Sequence, residues 1–308
     1  MASARKLRLG TRASQLARWQ AEWVMRQLGR RDVPVELVPI STRGDRQRTP
    51  IGMADGTGLF TKELQLALLE GRIDLAVHSL KDLPTEAADG LELTAVPRRG
   101  PVADALVCLS AGSLDELPAG ATVGTGSLRR RAQLLHGRPD LKAEPIRGNV
   151  DTRLRKLEEG RYDALVLAQA GLQRLGLADR ITQLLPADVM LPAVGQGALG
   201  IEARCDDPTV QALIRWLDDP ATRAAVTAER AMLRRLQGGC LAPVAAWGRV
   251  EHGQLILTAR VLSPDGRQKK EVMLAADPVE AEGVGLRVAE ELIAQGADEL
   301  IRSARRAV

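Results

Sequence analysis

The segment Glu70-Gly-Arg-Ile-Asp-Leu-Ala-Val77 is echoed by Glu159-Gly-Arg-Tyr-Asp-Ala-Leu-Val166, identical at Glu, Gly, Arg, Asp and Val. Each copy reads as a helix end, a glycine stop and a buried strand. A chain built on such a repeat is expected to hold two related α/β lobes. Lobes of this kind place a ligand site in the cleft between them, at the carboxyl ends of their strands. The surrounding pattern agrees. Leu7–Leu9, Val35–Ile40, Asp74–His78 and Leu91–Val96 read as strands. Ser14–Leu28 reads as a helix N-capped by Ser14, with Leu16, Trp19, Trp23 and Leu28 on one face. Phe60–Leu69 reads as a second helix, ended by Gly71. After Arg99-Gly100-Pro101 the alternation resumes with strands at Ala105–Leu109, Thr122–Val123, Ala143–Ile146 and Ala164–Leu167. This alternation predicts α/β layers with largely parallel sheets.

The last third changes character. Pro220–Leu236 reads as a helix that stops at Gly238-Gly239-Cys240. Three strands, Pro243–Val250, Gln254–Leu262 and Gln268–Leu274, follow as an antiparallel meander, and a long helix, Val279–Gln295, comes after them. A small separate α+β domain is expected there. With 308 residues the chain has room for two or three domains. Aromatics make up only 2%, so the cores are aliphatic. No apolar run reaches the ~20 residues of a membrane helix, and the basic N-terminus lacks the apolar stretch of a signal peptide, so a cytoplasmic location is expected. Three distant cysteines make no disulfide framework, and three histidines make no metal-ligand spacing.

Charge is more informative by place than in total. Between Ala121 and Arg180 there are twelve Lys and Arg against seven Asp and Glu, and ten of the twelve are Arg. The planar guanidinium fork suits carboxylate or phosphate, whereas the shortage of aromatics and of any known motif argues against nucleic acid. Thr125-Gly-Ser127-Leu-Arg129-Arg130-Arg131 follows a strand and opens a helix, the setting of an anion site, and Arg147-Gly-Asn149-Val-Asp-Thr-Arg153 repeats it. Read alone, each is equally a capped helix with surface arginines. His78-Ser79-Leu80-Lys81-Asp82-Leu83-Pro84 sets a cation beside a carboxylate after a buried strand, or is a surface turn. Cys240, after two glycines, is either a reactive thiol or a buried structural cysteine. Gly195-Gln-Gly197-Ala-Leu-Gly200 fits the dinucleotide template, but a strand-like Ile201-Glu-Ala-Arg follows where a helix is required, so it reads as a glycine-rich hinge.

Six segments together resemble the porphobilinogen deaminase (hydroxymethylbilane synthase) family in order and spacing. They are Lys6-Leu-Arg-Leu-Gly-Thr-Arg12-Ala-Ser14-Gln-Leu-Ala, the His78–Pro84 segment, Gly124-Thr-Gly-Ser-Leu-Arg-Arg130, Ile146-Arg-Gly-Asn-Val-Asp-Thr-Arg153, Gly195-Gln-Gly-Ala-Leu-Gly-Ile-Glu202 and Gly238-Gly-Cys240. The resemblance implies two lobes like those of type II periplasmic binding proteins, with a cleft between them, plus a small C-terminal α+β domain with a three-stranded antiparallel sheet. It divides the chain into residues 1–98 with 198–215, residues 103–191 and residues 220–308. Hinges are expected around Arg99–Val102 and Pro192–Gly197.

The resemblance also implies a transferase that joins four porphobilinogens, with loss of ammonia, on a dipyrromethane held by a thioether to Cys240, and releases hydroxymethylbilane by hydrolysis. Each pyrrole brings an acetate and a propionate, so carboxylates accumulate and need charge-assisted partners. By motif, Arg12, Arg129, Arg130, Arg147, Arg153 and Arg174 are implied to bind them, assisted by Lys81, Ser14, Thr125 and Ser127. Asp82 is implied to be the catalytic carboxylate that stabilises a pyrrole cation and moves a proton. Phe60 is assigned either to stacking on a pyrrole or to the core. Residues 43–60 are expected to form a glycine-rich lid, carrying Met53 and Thr57 where relatives often carry lysines. A monomer is expected, without membrane, metal or nucleic-acid partner. The rival reading is a non-catalytic two-lobed anion-binding module, which leaves the third domain and Cys240 unexplained.

Overall fold

In a computed structural model the described residues are 6–41, 61–238 and 242–306. They divide into two compact units, one of residues 1–99 and 198–223, the other of residues 100–197 and 224–308.

The first unit is built on a five-stranded sheet. Its strands are Leu7–Thr11 (β1), Val35–Pro39 (β2), Leu75–Ser79 (β3), Leu91–Ala95 (β4) and, from the returning segment, the strand Leu199–Arg204. The order is β2-β1-β3-return-β4, with the returning strand antiparallel to both its neighbours and β1 parallel to β2 and β3. Helices Gln15–Gly29 (α1) and Lys62–Leu69 (α2) complete the layer. Strand alternation feeds both faces: Leu75 and Val77 join the core under α1, and Ala76 joins the core under α2 with Leu64 and Leu68. Ser14 caps α1 as expected, its Oγ accepting from Ala17 N at 3.3 Å. The buried face of α1 differs from the expected one. It carries Gln20, Ala21, Val24 and Leu28, with Trp19 and Trp23 only half-buried, because Ala21 and Val24 let the helix lie close on the strands.

The second unit repeats the arrangement. Strands Asp104–Cys108 (β5), Thr122–Gly124 (β6), Lys142–Glu144 (β7), Ala164–Ala168 (β8) and Gln183–Leu185 (β9) lie in the order β7-β6-β8-β5-β9, with β5 antiparallel to β8 and β9. Helices Leu128–Gly137 (α3) and Val150–Glu158 (α4) correspond to α1 and α2. The sequence echo falls on matching places in the two sheets. Gly71 and Gly160, at φ +67° and +70°, end α2 and α4 in the left-handed conformation that favours glycine. Asp74 and Asp163 then each accept the backbone N–H of the first parallel strand of their sheet, Arg8 at 2.9 Å and Thr122 at 2.6 Å. Each donates its own backbone N–H to the carbonyl of that same residue. Even the flanking pair recurs, Arg72 on Glu70 and Arg161 on Glu159.

Helix Gln169–Arg174 (α5) follows β8, and Leu199–Arg204 is β10 in chain order. Helices Pro208–Ile214 (α6) and Pro220–Arg235 (α7) lead to Val244–Glu251 (β11), Gln254–Leu262 (β12) and Lys269–Ala276 (β13), an antiparallel sheet in that order. Two helices cover it, Ala281–Ala294 (α8), which meets the helix expected over Val279–Gln295, and Ala297–Arg306 (α9), which the sequence reading leaves unassigned. Gly296, at φ +86°, breaks the run. This domain buries Val272, Val284, Val288 and Leu292 in one aliphatic core. Its β12–β13 turn rests on α3: His136 Nδ1 lies 2.7 Å from Gly266 O, and Arg260 donates to Gln133 Oε1 at 2.8 Å. The expectation of two α/β lobes and a small antiparallel C-terminal domain is met.

Candidate functional site

In the first unit the expected site residues gather at the carboxyl ends of β1 and β3. Arg12 and Ser14 lie between β1 and α1, both half-buried, behind the buried Thr11. The strand β3 runs into a single 3₁₀ turn, Leu80–Asp82. Leu80 N donates to Ala198 O at 3.0 Å, and Leu83 N closes the turn on Leu80 O. Buried Leu80 and Leu83 anchor it on either side, so Lys81 is half-buried and Asp82 exposed. Ser79 Oγ accepts from the buried Gln20 Nε2 at 2.7 Å, which ties the turn's approach to α1. Behind it the buried His78 puts Nε2 2.9 Å from Glu202 Oε2.

In the second unit Thr125 and Ser127 occupy the matching place between β6 and α3. Thr125 is buried, its Oγ1 accepting from Ser127 N at 3.2 Å. Ser127 N-caps α3. Both hydroxyls accept from the backbone and keep their protons for another acceptor. The next two residues depart from the surface face that a charge run suggests. Arg129 and Arg130 are 4% and 6% exposed, and both meet Asp104, which is fully buried. Arg130 bonds Asp104 Oδ1 through Nε at 3.0 Å and its terminal nitrogen at 2.7 Å, and donates again to Val166 O. Arg129 donates from one nitrogen to Asp104 Oδ2 at 2.7 Å and to Leu191 O at 2.6 Å. Its Nε is buried with no hydrogen-bond partner among the described residues. Burial alone pushes the Asp104 carboxyl up, but the two guanidiniums outweigh it and hold the group well below the usual carboxylate range.

The remaining arginines line the same unit. Asn149 caps α4, its Oδ1 accepting from Thr152 N at 2.9 Å. Arg147 is exposed ahead of that cap, and Arg153 is half-buried behind it with Nε on Gly148 O at 2.8 Å. Arg174 ends α5 and donates to Gly197 O at 2.6 Å, and burial draws its guanidinium down to about 10. Gly197 cannot be replaced by a larger residue: at φ +85° a Cβ would lie 2.6 Å from both Gly100 O and Pro101 O.

Three residues escape a reading of the sequence alone. Asp104 is one. Gln196, fully buried, donates to Asp104 Oδ1 at 2.9 Å and to Val102 O at 2.7 Å. Glu229, fully buried on α7, accepts from Gly195 N at 2.6 Å and from Gly248 N at 2.7 Å. The Gly195-Gln196-Gly197 segment is thus a bonded junction: its three residues reach α7 and β11 through Glu229, the arginine pair through Asp104, and Arg174. A polar residue inside an otherwise apolar setting, as at Asp104 before Ala-Leu-Val, is the one signal available beforehand.

Cys240, Phe60 and the 43–60 segment lie outside the described residues. The donor set described here suits a group rich in carboxylates: two buried guanidiniums share one acid, one buried donor is unspent, and Arg174 is desolvated. Among the described residues no helix is long and apolar enough to cross a membrane.

Comparison with known proteins gives a consistent result. Residues 7–212 match the family model described as porphobilinogen deaminase, dipyromethane cofactor binding domain, and residues 223–294 match porphobilinogen deaminase, C-terminal domain. A porphobilinogen deaminase of Pelotomaculum thermopropionicum is 50% identical over 304 residues, covering 98% of this chain and 97% of the relative. One from Syntrophotalea carbinolica is 51% identical over 302 residues, covering 97% and 96%. Among solved structures, the methionine-binding protein MetQ matches 70% of this chain and 89% of its own at 15% identity and a TM-score of 0.46. The periplasmic VFT2 domain of Bordetella pertussis BvgS matches 70% and 88% at 16% identity and a TM-score of 0.42.

Proposed function

Given that this chain belongs to the porphobilinogen deaminase family, we propose that it is a hydroxymethylbilane synthase and that the residues gathered above perform its steps. The observation that carries this reading is kinship over nearly the whole length, at 50% identity across 98% of the chain, with both family domains matched. The site chemistry supports it. The substrate, porphobilinogen, carries an acetate and a propionate, and the chain offers buried and half-buried guanidiniums at Arg12, Arg129, Arg130, Arg153 and Arg174, and an exposed one at Arg147. The non-catalytic anion-binding module is not favoured, since it leaves the C-terminal domain without a task.

A dipyrromethane joined by a thioether to Cys240 supplies, when bound, a nucleophilic pyrrole α-carbon that starts the chain and stays behind when product leaves. The arginines, with Lys81, Thr125, Ser14 and Ser127, pair with the ring carboxylates and so orient each porphobilinogen. Asp82 faces the opposite charge. Loss of ammonia from the aminomethyl carbon of porphobilinogen leaves positive charge on the pyrrole nitrogen, and a fixed carboxylate stabilises it. Asp82 also holds the proton that departs with ammonia and accepts the one lost from the α-carbon of the attacking ring as that ring regains its aromaticity. Its place on a short turn anchored by Leu80 and Leu83 leaves its charge in water's reach, where it can exchange that proton. We assign residues 1–98 with 198–215 to the lobe bearing Asp82, residues 103–191 to the arginine lobe and residues 220–308 to the cofactor-bearing domain. Phe60 is left between stacking and core. The protein acts in the cytoplasm as a monomer and without nucleic acid.

The intact mass of the purified protein tests this. We expect an excess equal to two porphobilinogens less two ammonias, absent from Cys240→Ser and retained in Cys108→Ser and Cys205→Ser. A well-folded wild-type protein that gains no excess on incubation with porphobilinogen overturns the assignment.

A further inference from the structure

Arg129 and Arg130 are adjacent in sequence and equivalent in composition, yet the structure spends them differently. All three nitrogens of Arg130 are bonded, two to Asp104 and one to Val166 O. Arg129 commits one terminal nitrogen, to Asp104 and Leu191 O, and keeps a buried Nε–H without a partner. An unspent donor in a desolvated place is costly unless something fills it, and the trio of two guanidiniums and one carboxylate carries one net positive charge. Both facts call for a single anionic acceptor. Gln196 fixes the carboxylate that sets this up, by donating to the same Oδ1 that Arg130 grips.

We infer that Asp104 is a positioning residue for this reaction, holding the pair so that Arg129, through its unspent Nε–H, is the stronger of the two carboxylate ligands. The inference rests on the proposed function and adds that the two arginines are not equivalent ligands. Asp104 is too deep to touch substrate itself, and it acts only through the two guanidiniums.

The test uses the full chain produced without porphobilinogen and then given it, with the covalent excess followed by intact mass and Tm recorded for each variant. Arg129→Lys keeps the charge and loses the Nε donor; Arg130→Lys keeps a cation against Asp104. Loss of one charge-assisted bond corresponds to roughly ten- to a hundredfold. Arg129→Lys is therefore expected to load about that much more slowly than Arg130→Lys, at similar Tm. Asp104→Asn should slow loading and raise KM for porphobilinogen more than it lowers kcat, and Asp104→Glu should recover part of both. Equal loading by the two lysine variants, or wild-type loading by Asp104→Asn, overturns the inference. If Asp104→Asn does not fold, the lysine pair decides alone. A wild-type chain that never loads refutes instead the function on which the inference rests.

Discussion

Glu229 offers the sharpest stability experiment. Its two carboxylate oxygens each take one buried backbone N–H, from Gly195 at 2.6 Å and from Gly248 at 2.7 Å. Glu229→Gln preserves shape and turns one acceptor into a donor. The amide NH₂ then faces a backbone N–H, so one charge-assisted bond is lost, worth about 1.5–3 kcal/mol, and one buried N–H is stranded, costing about 1–3 kcal/mol. Removing a buried charge returns part of its desolvation. Neither glycine can retreat: Gly248 already packs where a Cβ would meet Ala225 O at 2.6 Å, and Gly195 sits in a left-handed turn at φ +72°. The net loss is expected to be about 2–4 kcal/mol. For a unit of this size that lowers Tm by roughly 5–15 °C. Urea titration and calorimetry of the cofactor-loaded protein read it directly. A Glu229→Gln protein that melts within 1 °C of wild type would show that the carboxylate is not the clamp its geometry implies, and the reasoning fails.

Two further expectations concern the site. Asp82→Asn, in protein whose mass confirms a loaded Cys240, should lose roughly 10²–10³ in kcat with little change in Tm, and Asp82→Glu should lose less; near-normal turnover would remove Asp82 from the chemistry. Arg174 gives a pH signature. Burial lowers it to about 10 from the ordinary 12.5, so between those values the unfolded chain binds more protons than the folded one, and this group makes stability rise with pH from about 10 upward. Below that the buried cation is a cost, which a bound carboxylate relieves. Porphobilinogen should therefore raise Tm at pH 8 more in wild type than in Arg174→Met, and a difference that persists unchanged well above pH 10 would discount the pairing.

What could be read in advance was whatever lies close along the chain. The echo around Gly71 and Gly160, the Ser14 cap and the β11–β13 meander are local, and their signals are glycine, hydroxyl and alternation. The buried face of α1 was misjudged, because helical spacing marks Trp19 and Trp23 as apolar without saying that small Ala21 and Val24 pack closer. The helix expected over Val279–Gln295 is found as Ala281–Ala294, and the short helix Ala297–Arg306 beyond Gly296 carries no expectation from the sequence. The partners of Asp104 are remote: Arg129, Arg130 and Gln196 lie far along the chain, and no window that holds the acid holds them all. Burial of an arginine pair is equally invisible locally, since Arg-Arg reads as surface until its counter-charge is found.

The returning strand has a consequence for biosynthesis. In the first sheet β4 bonds only to β10, and β10 separates it from β3. The second sheet draws all its strands from one stretch, Asp104 to Leu185. At about 5–20 residues per second, roughly 5–20 s pass between synthesis of Ala95 and of Arg204. Through that interval the first-made β4 waits at the ribosome without a partner, and by its end the later-made sheet, complete at Leu185, has all its strands before β10 is made. The N-terminal lobe is therefore the last of the two to be finished, and slowing translation between codons 105 and 199 prolongs the exposure of an unpaired edge to chaperones and proteases.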